Sequence, residues 1–425
     1  MTGADTDPAH FARAVTALGD RRPVVARSAI LNARGVKIIE KGTAIDTRLI
    51  ERLMQHQLKQ PLSEDVESEP SVSGTVLRQA AQALCAEHPL FVAMVADTRL
   101  RDVLFDELLL VPLPAPVAFQ LTLLREMRPD AWLHALYSMV TAGWLAVRRG
   151  GTRYDVRILA AAGLVHDLGM LHLDPVLMQP ELQLSPEQRR QLYSHPLVSV
   201  KLLERHHDYP RELLRAVLEH HETLAGTGYP RQIGAAAVSP WGRILAVTEL
   251  TTAMFAPERS YPVHRLALAL RLNRHRYDVA LSQEVEVLLL GLKEEPPIQS
   301  SHDPVLALAE IEALLMRWPQ TSPDALPRER DATLEALHES ARQVLRSLAD
   351  AGATSVQLAM VSAAAIDEPW RAELGLVVRE MAWQLRALSR QIRHRWRVAG
   401  DEARPGWLQQ FLDDADSLCL RLISG

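Results

Sequence analysis

One window constrains this chain more than any other. Residues 166 to 230 open with His166-Asp167-Leu168-Gly169, pass His195 in Ser194-His195-Pro196, and close with His220-His221-Glu222-Thr223-Leu224-Ala225-Gly226-Thr227-Gly228-Tyr229-Pro230. His172, His206 and His207 make the window dense in imidazole throughout. An adjacent His-Asp and an adjacent His-His are hard to explain by packing alone. Imidazole and carboxylate are ligands that suit first-row divalent metals. Paired ligands on successive helices can hold two ions close enough to share a water. The window therefore reads as the centre of a metal-dependent hydrolase.

Composition narrows the rest. The 425 residues suffice for two or three domains, and 48% hydrophobic with 23% charged residues is the balance of an ordinary globular chain. Aromatic residues make up only 5%, and Leu and Ala dominate, which favours helix over sheet. A net charge of −5 gives no bulk electrostatic case for nucleic acid. Cys85 and Cys419 lie in unrelated segments, so a reducing compartment is expected. Neither a signal peptide nor an apolar run of ~18 residues is visible, and the expected location is the cytoplasm, away from any membrane.

Taken in order, residues 1–61 read as a small α+β module: a β-compatible run from Val24, a turn at Asn32-Ala33-Arg34-Gly35, a returning strand at Val36 to Ile39, and a helix capped at Asp46-Thr47. It suits docking of a partner better than chemistry. The acidic, proline-broken stretch 62–74 reads as a linker. Residues 75–293 are periodic helices, with the Gly150-Gly151 pair ending one of them and Ser185-Pro186 opening another. Residues 294–328 read as a second linker. Residues 329–425 carry long amphipathic helices, suited to a bundle or a dimerising hairpin. The fold class is mainly α.

His-Asp-Leu-Gly, the intervening His195 and the His-His-Glu…Gly-Thr-Gly-Tyr-Pro string together resemble an HD-GYP domain, the bacterial branch of the HD phosphohydrolases that cleave cyclic di-GMP. The resemblance covers about Pro129 to Leu292. It implies an all-helical HD core and a metal-ligand set of Asp130, His134, His166, Asp167, His195, His220, His221 and Glu249. At either end of that set a carboxylate has changed length: Asp130 stands where the family has Glu, and Glu249 where it has Asp. The resemblance further implies two or three divalent ions, iron or manganese ahead of zinc. His166 and Asp167 become the catalytic pair, with Asp167 bridging the ions. Such ions lower a water's pKa from 15.7 toward ~7 and stabilise charge on phosphorus oxygens. Gly226, Gly228 and Tyr229 would shape the active-site edge and offer a contact for signalling partners, with Arg259 and Tyr261 beside the substrate.

The likeness fails at four places. Met170 replaces a phosphate-contacting lysine, Ala225 and Thr252 replace aspartates, and the usual Arg-Pro-Tyr-Arg segment becomes Glu258-Arg259-Ser260-Tyr261-Pro262. His172, Arg259 or Arg265 could supply the missing charge. The leading expectation is a phosphodiesterase opening cyclic di-GMP to pGpG or on to GMP. A degenerate regulator or partner-binding module is the second, and a hydrolase of another nucleotide the third.

Overall fold

Two helices of the HD-like region approach more closely than side chains would permit. One runs Pro129–Arg148 and the next Arg153–Val165, the latter opened by a capping box in which Thr152 and Asp155 satisfy each other's backbone amides. A Cβ on Gly163 would lie 2.4 Å from the Ser138 carbonyl oxygen. Only glycine leaves room for that crossing, and it brings the two helices' histidines within reach of each other. Apolar residues of both helices, among them Met139, Val140, Leu159 and Leu164, are buried around it.

The computed structural model describes residues 8–179, 184–257, 260–295, 303–318, 328–361, 368–398 and 405–423. They divide into two units, residues 1–257 with 275–292 and residues 258–274 with 293–425. Both are helical. The described strands are four short pieces in two antiparallel pairs, Val25–Ala26 with Val66–Glu67 and Ile30–Leu31 with Lys37–Ile39. No helix among the described residues is long and apolar enough to cross a membrane.

The first unit corrects two expected boundaries. Residues 1–61 do not stand apart as a module, because the Pro8–Gly19 helix packs on the Ala115–Met127 helix and on the turn Leu168–His172. Nor is 62–74 a simple linker: Val66 is buried in the strand pairing with Val25–Ala26. The acidic character that suggested a hinge is satisfied internally, since Asp65 accepts hydrogen bonds from Ser28 Oγ and from Gln60 Nε2, the latter at 2.6 Å. The expected turn at Asn32 is present, its side chain accepting from the amides of Arg34 and Val36.

In the second unit the helices Pro304–Met316, Arg328–Asp350, Glu368–Val398 and Gly406–Ile423 enclose a core that includes Leu308, Leu337, Met381, Leu385 and Leu412. The long C-terminal helices match the expected amphipathic stretches. The expected linker 294–328 holds a helix with a buried apolar face instead, while its residues 296–302 and 319–327 lie outside the described residues. The Pro262–Leu272 helix, assigned to the HD-like domain on sequence, belongs to this unit, with Leu268 and Leu272 in its core.

His172, offered on sequence as a replacement cation, is a core residue. It is 7% exposed, stacks on Phe11 at 4.3 Å and 7°, and burial lowers its pKa to about 4. A histidine whose folded-state pKa lies below its unfolded value binds its proton more readily when unfolded. Acid therefore withdraws stability as pH falls from about 6.5 toward about 4, by up to about 1.4 kcal/mol per pH unit. Denaturant titrations of a His172→Gln variant across this range should show a shallower loss of stability with acid than the parent chain. Equal slopes would mean that His172 is not the group responsible.

Candidate metal centre

Four of the five imidazoles of the predicted set are carried at, or just beyond, the end of a helix. His166 caps the C-terminus of Arg153–Val165 and His220 that of Arg211–Glu219. His195 opens His195–Leu203, two residues after the cap of Pro186–Leu192. His134 lies in the second turn of Pro129–Arg148, and Glu249 comes from Pro240–Met254. Gly169 draws two of these segments together. A Cβ there would fall 2.4 Å from the His195 carbonyl oxygen, while the Gly169 amide donates to Ser199 Oγ at 2.8 Å. The glycine of His-Asp-Leu-Gly is thus the contact that sets His195 against Asp167.

The side chains converge in two groups that share Asp167. In one, His134 Nε2 and His166 Nε2 are 3.3 Å apart and lie 3.1 and 3.5 Å from Glu249 Oε2. Asp167 Oδ2 completes it, 3.5 Å from His166 Nε2. In the other, Asp167 Oδ1 is 3.1 Å from His195 Nε2 and 3.5 Å from His220 Nε2, with His221 alongside. Asp167 therefore offers one oxygen to each group. Asp130, exposed in the first turn of its helix, is not brought into either.

The hydrogen bonding shows what the groups are suited to hold. His166 Nδ1 donates to the Gly163 carbonyl at 2.8 Å, His195 Nδ1 to Leu192 at 2.7 Å, and His220 Nδ1 to Val217 at 2.6 Å. A carbonyl can only accept, so each Nδ1 carries a proton and each neutral ring presents a lone pair at Nε2. Yet His195 Nε2 and His220 Nε2 face each other at 3.1 Å. Two lone pairs at that distance repel unless a cation lies between them. Asp167 Oδ1 and Glu249 Oε2 are buried with no aligned hydrogen-bond donor. Buried carboxylates and lone pairs left in this state fit divalent metal ions.

Without metal, protons take over part of that role. Burial disfavours the His166 imidazolium, but the Asp167 and Glu249 carboxylates outweigh it and hold its pKa up at about 9. Burial likewise opposes the Asp167 and Glu249 carboxylates, and the surrounding imidazoles hold both well below the usual range. His221 is driven the other way, first by burial and then by His220.

Beyond His221 the chain turns into the loop predicted to form the site's edge. Gly226 has φ of +70°, and a Cβ on Gly228 would strike the His221 carbonyl at 2.3 Å, so the loop lies flat against the double histidine. Tyr229 stacks on His221 at 4.4 Å. Tyr261 opens the Pro262–Leu272 helix in the second unit with a left-handed backbone, and Arg259 lies outside the described residues.

Sequence reasoning missed the two buried carboxylates that frame this loop. Glu222 accepts from the amides of Arg231 and Ile233 at 2.7 and 3.2 Å. Glu219 accepts from Arg215, Arg231 and both the amide and hydroxyl of Ser239. Glu222 was visible within the His-His-Glu string without a role. Glu219, the residue just before that string, gave no signal, because its partners are up to 20 residues distant.

Comparison with known proteins bears on the same stretch. Residues 135–281 match a family model described as an HD domain. A cyclic di-GMP phosphodiesterase response regulator of Xanthomonas campestris is 29% identical over 117 residues, 27% of this chain and 31% of its own length. A 3'3'-cGAMP-specific phosphodiesterase of Vibrio cholerae is 28% identical over 145 residues, 33% of this chain and 30% of its own length. A cyclic di-GMP phosphodiesterase of Pseudomonas aeruginosa is 29% identical over 192 residues, 42% of this chain and 45% of its own length. The chain thus spans less than half the length of each of these relatives.

Gly169→Ala tests the packing on which the two groups depend. The added methyl must displace backbone, so a stability loss of about 1–3 kcal/mol is expected. Thermal unfolding measures that loss, and elemental analysis of the same protein should show less bound metal than the parent. A variant with unchanged melting and metal content would mean that the 168–172 turn does not set the centre.

Proposed function

We propose that this chain, which belongs to the HD-GYP phosphohydrolase family through its HD domain, is a metal-dependent phosphodiesterase of a cyclic dinucleotide, opening cyclic di-GMP to linear pGpG. The observation that carries this reading is the close facing of Nε2 atoms in each of two groups that share Asp167, with the inward lone pairs of His195 and His220 3.1 Å apart. The names of the similar proteins support a cyclic dinucleotide as the substrate class.

In this reading His134, His166 and Glu249 would hold one ion and His195, His220 and His221 a second, with Asp167 available to both groups. Bound there, divalent ions supply a nucleophile at neutral pH and neutralise charge developing on the phosphorus oxygens. The chain's own residues do the rest. The three Nδ1–H···O=C bonds keep the Nε2 lone pairs aimed inward. Burial of His166, His195 and His220 excludes water from the inner side of the site. Asp130, exposed one helical turn from His134, is available to a third ion or to solvent.

A second reading, a regulator that binds without turnover, rests on the altered substrate positions. Thr252 is buried and donates to the Thr248 carbonyl at 3.0 Å, so it serves the helix rather than a ligand. Met170, in the turn after Asp167, carries neither charge nor donor.

Turnover separates the readings. Protein loaded with manganese or iron without oxygen should convert cyclic di-GMP to pGpG, with 3',3'-cGAMP as the second substrate to try. His166→Ala and Asp167→Ala should each lower kcat about a thousandfold, the equivalent of about 4 kcal/mol. Metal-loaded protein that leaves cyclic dinucleotides intact would overturn this reading in favour of the regulator or of a hydrolase acting on another nucleotide.

Met170→Lys should strengthen substrate binding. A charge-assisted hydrogen bond to phosphate contributes roughly 1.5–3 kcal/mol, about tenfold to a hundredfold. The value of KM, or Kd if turnover is absent, measures it. No gain would mean that position 170 does not face the phosphates in this chain.

A further inference from the structure

Three of the clustered imidazoles are oriented through Nδ1, but His221 is held in a different way. His166, His195 and His220 each donate to a carbonyl three residues earlier. At His221 the constraint is a column of rings: Tyr229 stacks on it at 4.4 Å and 26°, and Tyr193 stacks on Tyr229 at 3.9 Å and 7°. Tyr193 is rigidly placed. It caps the Pro186–Leu192 helix, its amide donating to the Arg189 carbonyl at 2.9 Å, and that helix opens with a capping box at Ser185 and Gln188.

We infer that Tyr193 is a positioning residue for the metal centre: through Tyr229 it fixes the ring plane of His221. Metal-ligating histidines ordinarily have their planes set by a hydrogen bond at the second nitrogen, and loss of that partner typically costs 10–100-fold in metal affinity. Here a stacked pair takes the place of the hydrogen bond. Offset stacking suits the purpose, since parallel rings resist tilting of one another. The column also ties the two sides of the second group together. Tyr193 stands two residues before His195, and Tyr229 eight residues after His221. Through the stack, the approach to His195 and the loop beyond His221 become one packed piece, 5.0 Å apart at the two imidazoles.

This inference rests on the metal reading above, so its test includes a readout that does not need metal. The Tyr229 amide donates to the His221 carbonyl at 3.1 Å, and its hydrogen exchange reports on the loop directly. In the metal-free full chain, Tyr193→Ala should speed exchange across residues 226–229 while leaving the Glu368–Val398 helix unchanged. In a manganese titration the same variant should bind about tenfold more weakly. Tyr193→Phe, which keeps the ring, should match the parent in both measurements. Tyr193→Leu fills volume without a ring and should behave as the alanine variant, and it serves if alanine does not fold. Parent-like exchange in the alanine and leucine variants would overturn the proposal, as would equal loosening by phenylalanine. If exchange responds as expected and the parent takes up no manganese, the stack stands as the device that orients His221 and the metal reading fails instead.

Discussion

The candidate centre answers to one electrostatic constraint: the lone pairs of three oriented imidazoles and two carboxylates are made to face one another. Left alone they repel, and no ordinary core would assemble them. The fold does so by using helix ends. A helix leaves its last carbonyls without intrahelical partners, and those carbonyls carry the negative end of the helix dipole. His166, His195 and His220 take the Gly163, Leu192 and Val217 carbonyls, each in the last turns of a different helix. One hydrogen bond thereby satisfies an orphan acceptor, selects the tautomer and turns Nε2 toward the site. The dipoles that end there favour a cation at the same point.

Close packing makes the convergence possible. Gly163 lets two helices cross at the Ser138 carbonyl, Gly169 seats the turn after Asp167 against His195, and Gly228 lays the loop on His221. Each glycine belongs to a different segment, yet each brings a ligand-bearing piece of chain toward the same place. The buried carboxylates Glu219 and Glu222 complete the frame by gathering backbone amides and arginines around the loop.

The ligands were legible because they are written locally. His-Asp and His-His are dipeptides, and the helix signals around them, Gly150-Gly151 and Ser185-Pro186, are short-range as well. Missing from that record is whatever depends on partners far along the chain. The acid-rich 62–74 segment looks like a hinge until Val66 pairs with Ala26, 40 positions earlier. His172 looks like a spare cation until Phe11 stacks on it. The Pro262–Leu272 helix has the same apolar period as its neighbours, and only its burial among the C-terminal helices assigns it to the second unit. Tyr193 gave no signal, since a lone tyrosine near a helix end has no pattern to betray its partner.

The same distinction explains why the metal-holding and substrate-holding halves of the site read so differently. A metal centre needs specific donors, and six of the eight residues expected from the resemblance gather around a seventh, Asp167, while Asp130 stands exposed outside them. Substrate contacts tolerate replacement by whatever the local packing prefers. At position 252 the chain has a threonine whose hydroxyl is satisfied by its own helix and lies 3.4 Å from Ser138 Oγ. That arrangement serves the same helix crossing that Gly163 permits, so Thr252 belongs to the core there. A carboxylate restored there would meet a buried hydroxyl pair rather than a substrate, and its desolvation would oppose the packing that places His134 beside His166. Position 170 differs, because its side chain is half-buried in a turn whose backbone is already fixed by Gly169. The altered positions are therefore not equivalent: one has been absorbed into the scaffold of the metal centre, while the other remains at its edge.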